Sequence, residues 1–212
     1  MYNHAPEHYV CPFCLLVQGI ENTFVQSVQS DIVFHDGVVT AFISSHQWPN
    51  NHGNVIIVPN EHFENIYDLP VPYAIDIQKA ARMIAFVMKA VYSCDGISTR
   101  QHNEPGGNQD VWHYHVHVTP RYRDDRFYTT QRELMAVSER ARHAERLIGQ
   151  THLTFGRYSS PLKSLPRALA VVSGAAQRQV LDQWRCAALV SFPNAFALER
   201  LKSYLAEQNG MH

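Results

Sequence analysis

Residues 109–121 read Gln-Asp-Val-Trp-His-Tyr-His-Val-His-Val-Thr-Pro-Arg, and this stretch places three histidines at every second position. Side chains of a β-strand alternate between its two faces. His113, His115 and His117 are therefore predicted to share one face of a strand over residues 111–119. Each imidazole needs hydrogen-bond partners and can bind a proton near neutral pH, so three of them are an unfavourable way to build a core. The stretch indicates a functional site.

Two chemistries use such a row of histidines. Histidines at i and i+2 can hold a catalytic zinc ion whose open position carries water. Alternatively, one neutral imidazole can attack phosphorus and form a covalent intermediate that water or another acceptor later splits. A glycine-rich segment at 106–110 directly precedes the row, and small residues let backbone N–H groups approach phosphate oxygens. This placement favours a phosphorylated substrate.

Composition excludes several classes of partner. The 212 residues carry a formal net charge of -1, so no bulk positive field attracts nucleic acid polymers or anionic membranes. No apolar run approaches the roughly 20 residues that a membrane helix needs. The N-terminal residues lack the basic and apolar regions of a signal peptide. We therefore expect a cytoplasmic protein that binds neither membranes nor nucleic acid.

Hydrophobic patterning predicts an α+β fold with a largely antiparallel five-stranded sheet and a long helix. A continuous apolar run at 54–59 is typical of a strand buried on both faces, and Asp36-Gly37 is a hairpin signal. The other predicted elements are strands at 32–36, 39–44, 97–102 and 111–119, and helices at 71–94 and 129–149. Residues 1–150 are predicted to form the domain with the site. Residues 151–212 are predicted to form a C-terminal helical extension of unknown role, without a chemical motif and with helices at 167–190 and 194–208.

Cys11 and Cys14 form a Cys-x-x-Cys pair, whose spacing lets two thiolates bind one tetrahedral zinc ion. The same spacing occurs in redox motifs, usually where a strand turns into a helix. No strand is predicted before Cys11, so zinc is favoured over redox chemistry. Cys94 and Cys186 are isolated and are expected to be small buried apolar residues.

In this order along the chain, the motifs resemble those of the histidine triad (HIT) superfamily over roughly residues 10–150. The histidine row resembles the family's His-x-His-x-His signature followed by apolar residues. The other similar segments are the Cys11–Cys14 pair, Ala41-Phe42, Gly53–His62 (GNVIIVPNEH) and Asn103-Glu104 before the glycine-rich loop.

The resemblance implies a nucleotidyl hydrolase or transferase that acts at the α-phosphate of a nucleotide conjugate through a covalent nucleotidyl-histidine. The conjugate would be a dinucleotide polyphosphate or a nucleoside phosphoramidate. By position, His115 is the nucleophile, and His117 contacts the α-phosphate or assists the leaving group. Gln109 would hydrogen-bond the phosphate or the bridging oxygen, and Asn103 belongs to the same substrate-binding set. The family also implies a homodimer joined through the long helix, at about 73–93.

Other substrate-binding candidates carry alternatives. Asp110 falls where some members have a serine that contacts phosphate. A carboxylate there would repel phosphate unless it were protonated or turned to hold a histidine, and it could instead cap the loop. Apolar residues expected to line the nucleoside pocket, each of which could equally belong to the ordinary core, are Phe34, Phe42 and Ile43.

The resemblance also implies a structural zinc ion bound by Cys11, Cys14, His62 and His113. Such a set leaves no open position, and it would fix the ring of His113 and through it the orientation of His115. One residue departs from the family, because Asn54 stands where the family has histidine after glycine. Asparagine can donate a hydrogen bond but cannot act as an acid. Asn54 therefore motivates an alternative function, a low-turnover nucleotide-binding sensor module with a structural zinc.

Overall fold

Apolar strands and one long helix determine the architecture of the chain, whose computed structural model describes residues 2–22 and 25–155. The strands are β1 (Ile32–His35), β2 (Val39–Ile43), β3 (His46–Gln47), β4 (Val55–Pro59), β5 (Gly96–Gln101), β6 (Val116–Arg121) and β7 (Glu133–Leu134). Within the described residues, five of them form an antiparallel sheet in the order β1-β2-β4-β6-β5, and β3 pairs with β7 separately. The predicted α+β fold with a five-stranded, largely antiparallel sheet is confirmed.

Helices cover both faces of the sheet. The helices are α1 (Pro12–Val17), α2 (Val71–Tyr92) and α3 (Val137–Phe155). Ile77, Ile84 and Met88 of α2 recur at helical spacing and pack with Ile57 in one apolar cluster. On the opposite face, α1 contributes to a second cluster that contains Phe13, Leu16, Phe42, Ile56 and Val58. Strands β2 and β4 are buried throughout because both faces are covered.

The histidine row enters the sheet later than predicted. Strand β6 pairs with β4 and β5 only from Val116 onward. The first half of the predicted 111–119 strand is therefore not part of the sheet. Upstream of Val116, the backbone N–H of Tyr114 donates instead to the backbone carbonyl oxygen of Phe63, at 2.6 Å. The alternation of faces survives: Tyr114 packs with the α2 cluster, while the rings of His113 and His115 contact Phe13.

The helix predicted at 129–149 begins at Val137 and continues to Phe155. Its start is displaced because Glu133 and Leu134 pair with β3. An extension is predicted at 151–212. Its residues after Phe155, which include both predicted helices, lie outside the described part of the chain. Within residues 2–22 and 25–155, no helix combines the length and apolar character that a membrane crossing needs.

Candidate active site

Two cysteines and two histidines converge beside the sheet. Cys11 Sγ lies 3.3 Å from Nδ1 of His113, and Cys14 Sγ lies 3.3 Å from Nδ1 of His62 and 3.5 Å from Nδ1 of His113. The four ligand atoms are all within 4.8 Å of one another. A tetrahedral zinc ion with ordinary bond lengths separates its ligands by about 3.5 Å. The structure thus brings together all four predicted metal ligands in an arrangement that fits one such ion.

Protonation of the cluster is determined by its neighbours. Nε2 of His113 lies 3.0 Å from the carbonyl oxygen of Pro59. Because that oxygen can only accept, Nε2 carries the proton and Nδ1 presents a lone pair to the cysteines. A hydrogen bond from Cys14 lowers the pKa of Cys11 to about 2, while the same contact raises the pKa of Cys14. Zinc binds cysteine as the thiolate, so an ion bound here would displace the proton of the Cys14 thiol as well.

His115 is a neutral imidazole with one free nitrogen. Its Nδ1 lies 2.7 Å from the backbone carbonyl oxygen of His113, so Nδ1 donates and Nε2 keeps its lone pair. The ring is 2% exposed, and burial lowers its pKa below the ordinary value for histidine. Phe13 packs edge-on against the ring, with centroids 5.4 Å apart. This arrangement presents an unprotonated Nε2, which is what nucleophilic attack requires.

His117 has the opposite tautomer. The amide nitrogen of Asn54 lies 3.3 Å from Nδ1 of His117, while Oδ1 of Asn54 accepts from the hydroxyl of Thr119 at 2.8 Å. Nδ1 of His117 therefore accepts, and Nε2 carries the proton. Burial, and then the positive charges that His115 and Arg132 can carry, hold the pKa of His117 well below its ordinary value. His117 is a neutral hydrogen-bond donor in this environment.

His115 and His117 line a cavity of about 430 Å³. Phe13, Val25 and Ile56 supply an apolar wall, and Ser27, Ser44 and Ser45 supply hydroxyl groups. Such a mixture of apolar surface and a few polar groups is typical of small-molecule sites.

The three apolar residues predicted to line the pocket do not line this cavity. Phe34 and Ile43 pack with the α2 cluster on the other face of the sheet, and Phe42 lies fully buried beneath Phe13. Residues 42 and 43 point to opposite faces because they are neighbours on β2. A register irregularity between Ile32 and Phe34 directs Phe34 to the α2 side.

Gln109 and Asn103 do not line the cavity either. The amide of Gln109 donates to the carbonyls of Glu64 and Val111 at 2.6 and 3.1 Å and accepts from the N–H of Glu104 at 2.8 Å. Oδ1 of Asn103 accepts from the N–H of Ile66 at 2.8 Å. Both side chains satisfy backbone groups of irregular loops, which would otherwise lack partners.

Asp110 does line the cavity, and it faces two other site residues. Its Oδ1 lies 4.0 Å from Nε2 of His115, and its Oδ2 lies 3.1 Å from the guanidinium of Arg132. The carboxylate thus pairs with Arg132, and it makes no hydrogen bond to His115, whose Nε2 carries no proton. Arg132 was not predicted, because an isolated arginine outside any motif gives no sequence signal.

Comparisons with known proteins extend these observations. A HIT domain model matches residues 25–124. "Protein hit" of Bacillus subtilis is 30% identical over 119 residues, which are 56% of this chain and 74% of that protein. A bis(5'-adenosyl)-triphosphatase of Saccharomyces cerevisiae is 35% identical over 72 residues, which are 34% of this chain and 35% of the yeast protein. A Zn-bound histidine triad family protein from Mycobacterium smegmatis superimposes with a TM-score of 0.58 over 69% of this chain and 96% of that one. At 18% identity, this last likeness shows the shared fold alone.

Proposed function

Because the chain belongs to the HIT domain family, we propose that it is a nucleotidyl hydrolase or transferase acting at the α-phosphate of a nucleotide conjugate. The observation that carries the proposal is the free Nε2 of His115 at the cavity, with Nδ1 held by the carbonyl of His113 at 2.7 Å. The similarity to a bis(5'-adenosyl)-triphosphatase supports a dinucleotide polyphosphate as substrate.

The proposed reaction has two displacements at phosphorus. In the first, the Nε2 lone pair of His115 attacks the α-phosphorus, and the bond to the leaving group breaks with its electron pair on the leaving group. The ring becomes a cation, which the nearby Asp110 carboxylate and the His113 carbonyl stabilise. In the second, water attacks phosphorus and releases a proton to solvent, and the P–N electron pair returns to Nε2. His117 donates its Nε2–H to a phosphate oxygen.

A zinc ion fits the proposed role of the Cys11, Cys14, His62 and His113 cluster. Two thiolate-type and two imidazole donors form a closed tetrahedral set, so the metal would be structural. Bound there, it would cross-link α1 to the segment that carries His113 and so help to hold the carbonyl that orients His115.

Trapping the covalent intermediate tests the proposal. A denaturing quench at alkaline pH, where the P–N bond of the adduct survives, during turnover of radiolabelled diadenosine triphosphate or adenosine phosphoramidate should yield a nucleotidylated protein. His115→Ala should lose both the adduct and turnover, whereas His35→Ala, at an exposed strand end away from the cavity, should retain both. Turnover by His115→Ala would contradict the mechanism.

Asn54 favours one alternative, a nucleotide-binding sensor with little turnover. His117, held as a neutral donor by Asn54, can bind a phosphate oxygen without acting as an acid. Calorimetric binding of adenosine monophosphate, together with no turnover of either substrate, would support this alternative instead of the enzyme.

Dimer formation through α2 is also part of the proposal. Ile75 and Phe86 of α2 are about half exposed, at 48% and 52%, and this apolar surface supports a second copy of the chain as partner. Light scattering on the purified protein gives the oligomeric state directly.

A further inference from the structure

A second cavity, of about 290 Å³, adjoins the first. Asp110, His117 and Arg132 line both cavities. The second cavity therefore begins at these three residues, next to the cavity that holds the reacting histidines. The second cavity is otherwise lined mainly by basic and aromatic side chains, among them Trp48, Arg100 and His102.

Aromatic rings hold the two arginines of this second cavity. The guanidinium of Arg100 lies 5.9 Å from the ring centroid of Trp48 and 5.4 Å from that of Phe127, and the guanidinium of Arg132 lies 5.6 Å from Trp48. Stacking of this kind positions the planar head group and leaves its N–H edge for an anion. Guanidinium groups suit phosphate because two N–H groups can bind two oxygens.

Arg132 already has an anionic partner, but that ion pair is exchangeable. The side chains of Arg132 and Asp110 are 39% and 56% exposed, and exposed ion pairs contribute little to stability. A phosphate group in the second cavity can therefore attract Arg132 away from Asp110. The released carboxylate would lie beside His115 as that ring becomes positively charged.

The tautomer of His117 limits which leaving groups can depart. An amine leaving group must gain a proton as its bond to phosphorus breaks. His117 accepts at Nδ1 from Asn54, so loss of its Nε2 proton would leave an anionic ring, which is unfavourable. A phosphate leaving group departs as an anion and needs no such proton.

From the basic lining of the second cavity and the tautomer of His117, we infer that the second cavity binds an anionic leaving group. This inference rests on the proposed function. Arg100 and Arg132 contact the departing phosphate or polyphosphate chain, and His102 completes the basic wall. The chain therefore selects nucleoside polyphosphates over nucleoside phosphoramidates.

Two substrates that deliver the same adenylyl group to His115 test the inference. The kcat/KM for diadenosine triphosphate should exceed that for adenosine phosphoramidate by about 10-fold or more. Arg100→Gln and Arg132→Gln should each lower kcat/KM for the polyphosphate roughly 10-fold, the loss expected for a charge-assisted hydrogen bond. Arg100, unlike Arg132, lines the second cavity but not the first, so Arg100→Gln should change the phosphoramidate value less than about 2-fold. Arg142→Gln, an exposed arginine on α3, is the matched control and should change neither.

Binding of inorganic triphosphate, measured by calorimetry, separates this inference from the proposed function. The wild type should bind it, and both cavity variants should weaken it roughly 10-fold. Turnover of the phosphoramidate at equal or higher kcat/KM would overturn the leaving-group inference and leave the proposed function standing. Absence of turnover with triphosphate binding intact would overturn the proposed function alone. Absence of triphosphate binding would overturn the inference.

Discussion

Nδ1 of His115 lies 2.7 Å from the backbone carbonyl oxygen of His113, so the residue that faces the two cysteines also orients the candidate nucleophile. Nδ1 of His113 faces the cysteines, and its Nε2 donates to the carbonyl oxygen of Pro59. A change in the cysteine cluster can therefore alter the orientation of His115 through His113 alone.

Removing a cysteine of the cluster should remove bound metal and lower activity. Cys11→Ser and Cys14→Ser should reduce zinc content from one equivalent to near zero and lower the free energy of unfolding by roughly 3 kcal/mol or more. The kcat should fall more than KM rises, because the orientation of His115 is lost. Plasma emission spectrometry and urea unfolding provide the measurements.

Cys94→Ala is the matched control, because Cys94 is buried at 2% exposure but is not part of the cluster. It should keep its zinc. Equal zinc loss in this variant would contradict the assignment of the cluster.

Asn54→Asp should change the leaving-group preference. A carboxylate can accept the Nδ1–H of His117 while still accepting from Thr119, and its negative charge raises the pKa of His117. Protonated His117 can then give up its Nε2 proton. Steady-state kinetics should show kcat for adenosine phosphoramidate rising about 10-fold relative to diadenosine triphosphate, and falling again as the pH rises through the new pKa. Asn54→Ala should show no such gain.

Gln109→Ala should destabilise the fold. The side chain binds the backbone of Glu64, Glu104 and Val111, so its removal leaves buried groups unpaired and should lower the free energy of unfolding by roughly 1–3 kcal/mol. Chemical denaturation measures this loss, with Gln150→Ala on α3 as a control that should remain near wild type. An unchanged stability with a large rise in KM would instead indicate the direct phosphate contact that the sequence predicted.

Stability should fall in mild acid because of His115 and His117. Burial lowers the pKa of both rings in the folded state, whereas histidine in an unfolded chain has a pKa of about 6.5. Below that pH the unfolded state binds more protons, so stability is present above about pH 6.5 and is lost as the pH falls toward the folded-state pKa values. Urea midpoints at pH 8 and pH 5 should show the loss.

His117→Gln keeps a polar side chain of similar size without a titratable ring, and it should lose less stability between these two pH values. His35→Gln, at an exposed position, should follow the wild type. A pH dependence equal to that of the wild type in His117→Gln would disprove the assignment.

Arg140 connects α3 to the rim of the first cavity. Its guanidinium lies 3.0 Å from the fully buried Asp31 and donates to the carbonyl of Gln26 at 2.8 Å, and Gln26 lines the cavity. Arg140→Met leaves a buried carboxylate unpaired and should lower the free energy of unfolding by roughly 3–5 kcal/mol. The double variant with Asp31→Leu should lose less than the sum of the two single losses. Additive losses in the thermodynamic cycle would contradict a direct pairing.

Much of the fold was predictable because its signals are local. The apolar run at 54–59, the helical spacing of α2 and the hairpin at Asp36-Gly37 each predicted an element within two residues of its observed bounds. The strand at 111–119 and the helix at 129–149 were misplaced, because ladder pairing with β4 and β5 and the pairing of β3 with β7 decide those limits.

The sequence by itself determined which residue types meet at the site, since the alternation of three histidines and the spacing of two cysteines are properties of the local chain. Only the tertiary structure decided which ring nitrogen of His113 and of His117 carries the proton. His113 meets a carbonyl 54 positions away and His117 meets an amide 63 positions away. The tertiary structure also decided that Gln109 hydrogen-bonds backbone groups of the loops and that Arg132 pairs with Asp110. Hydrogen-bond partners distant in sequence select tautomers and side-chain directions, and no local pattern records them.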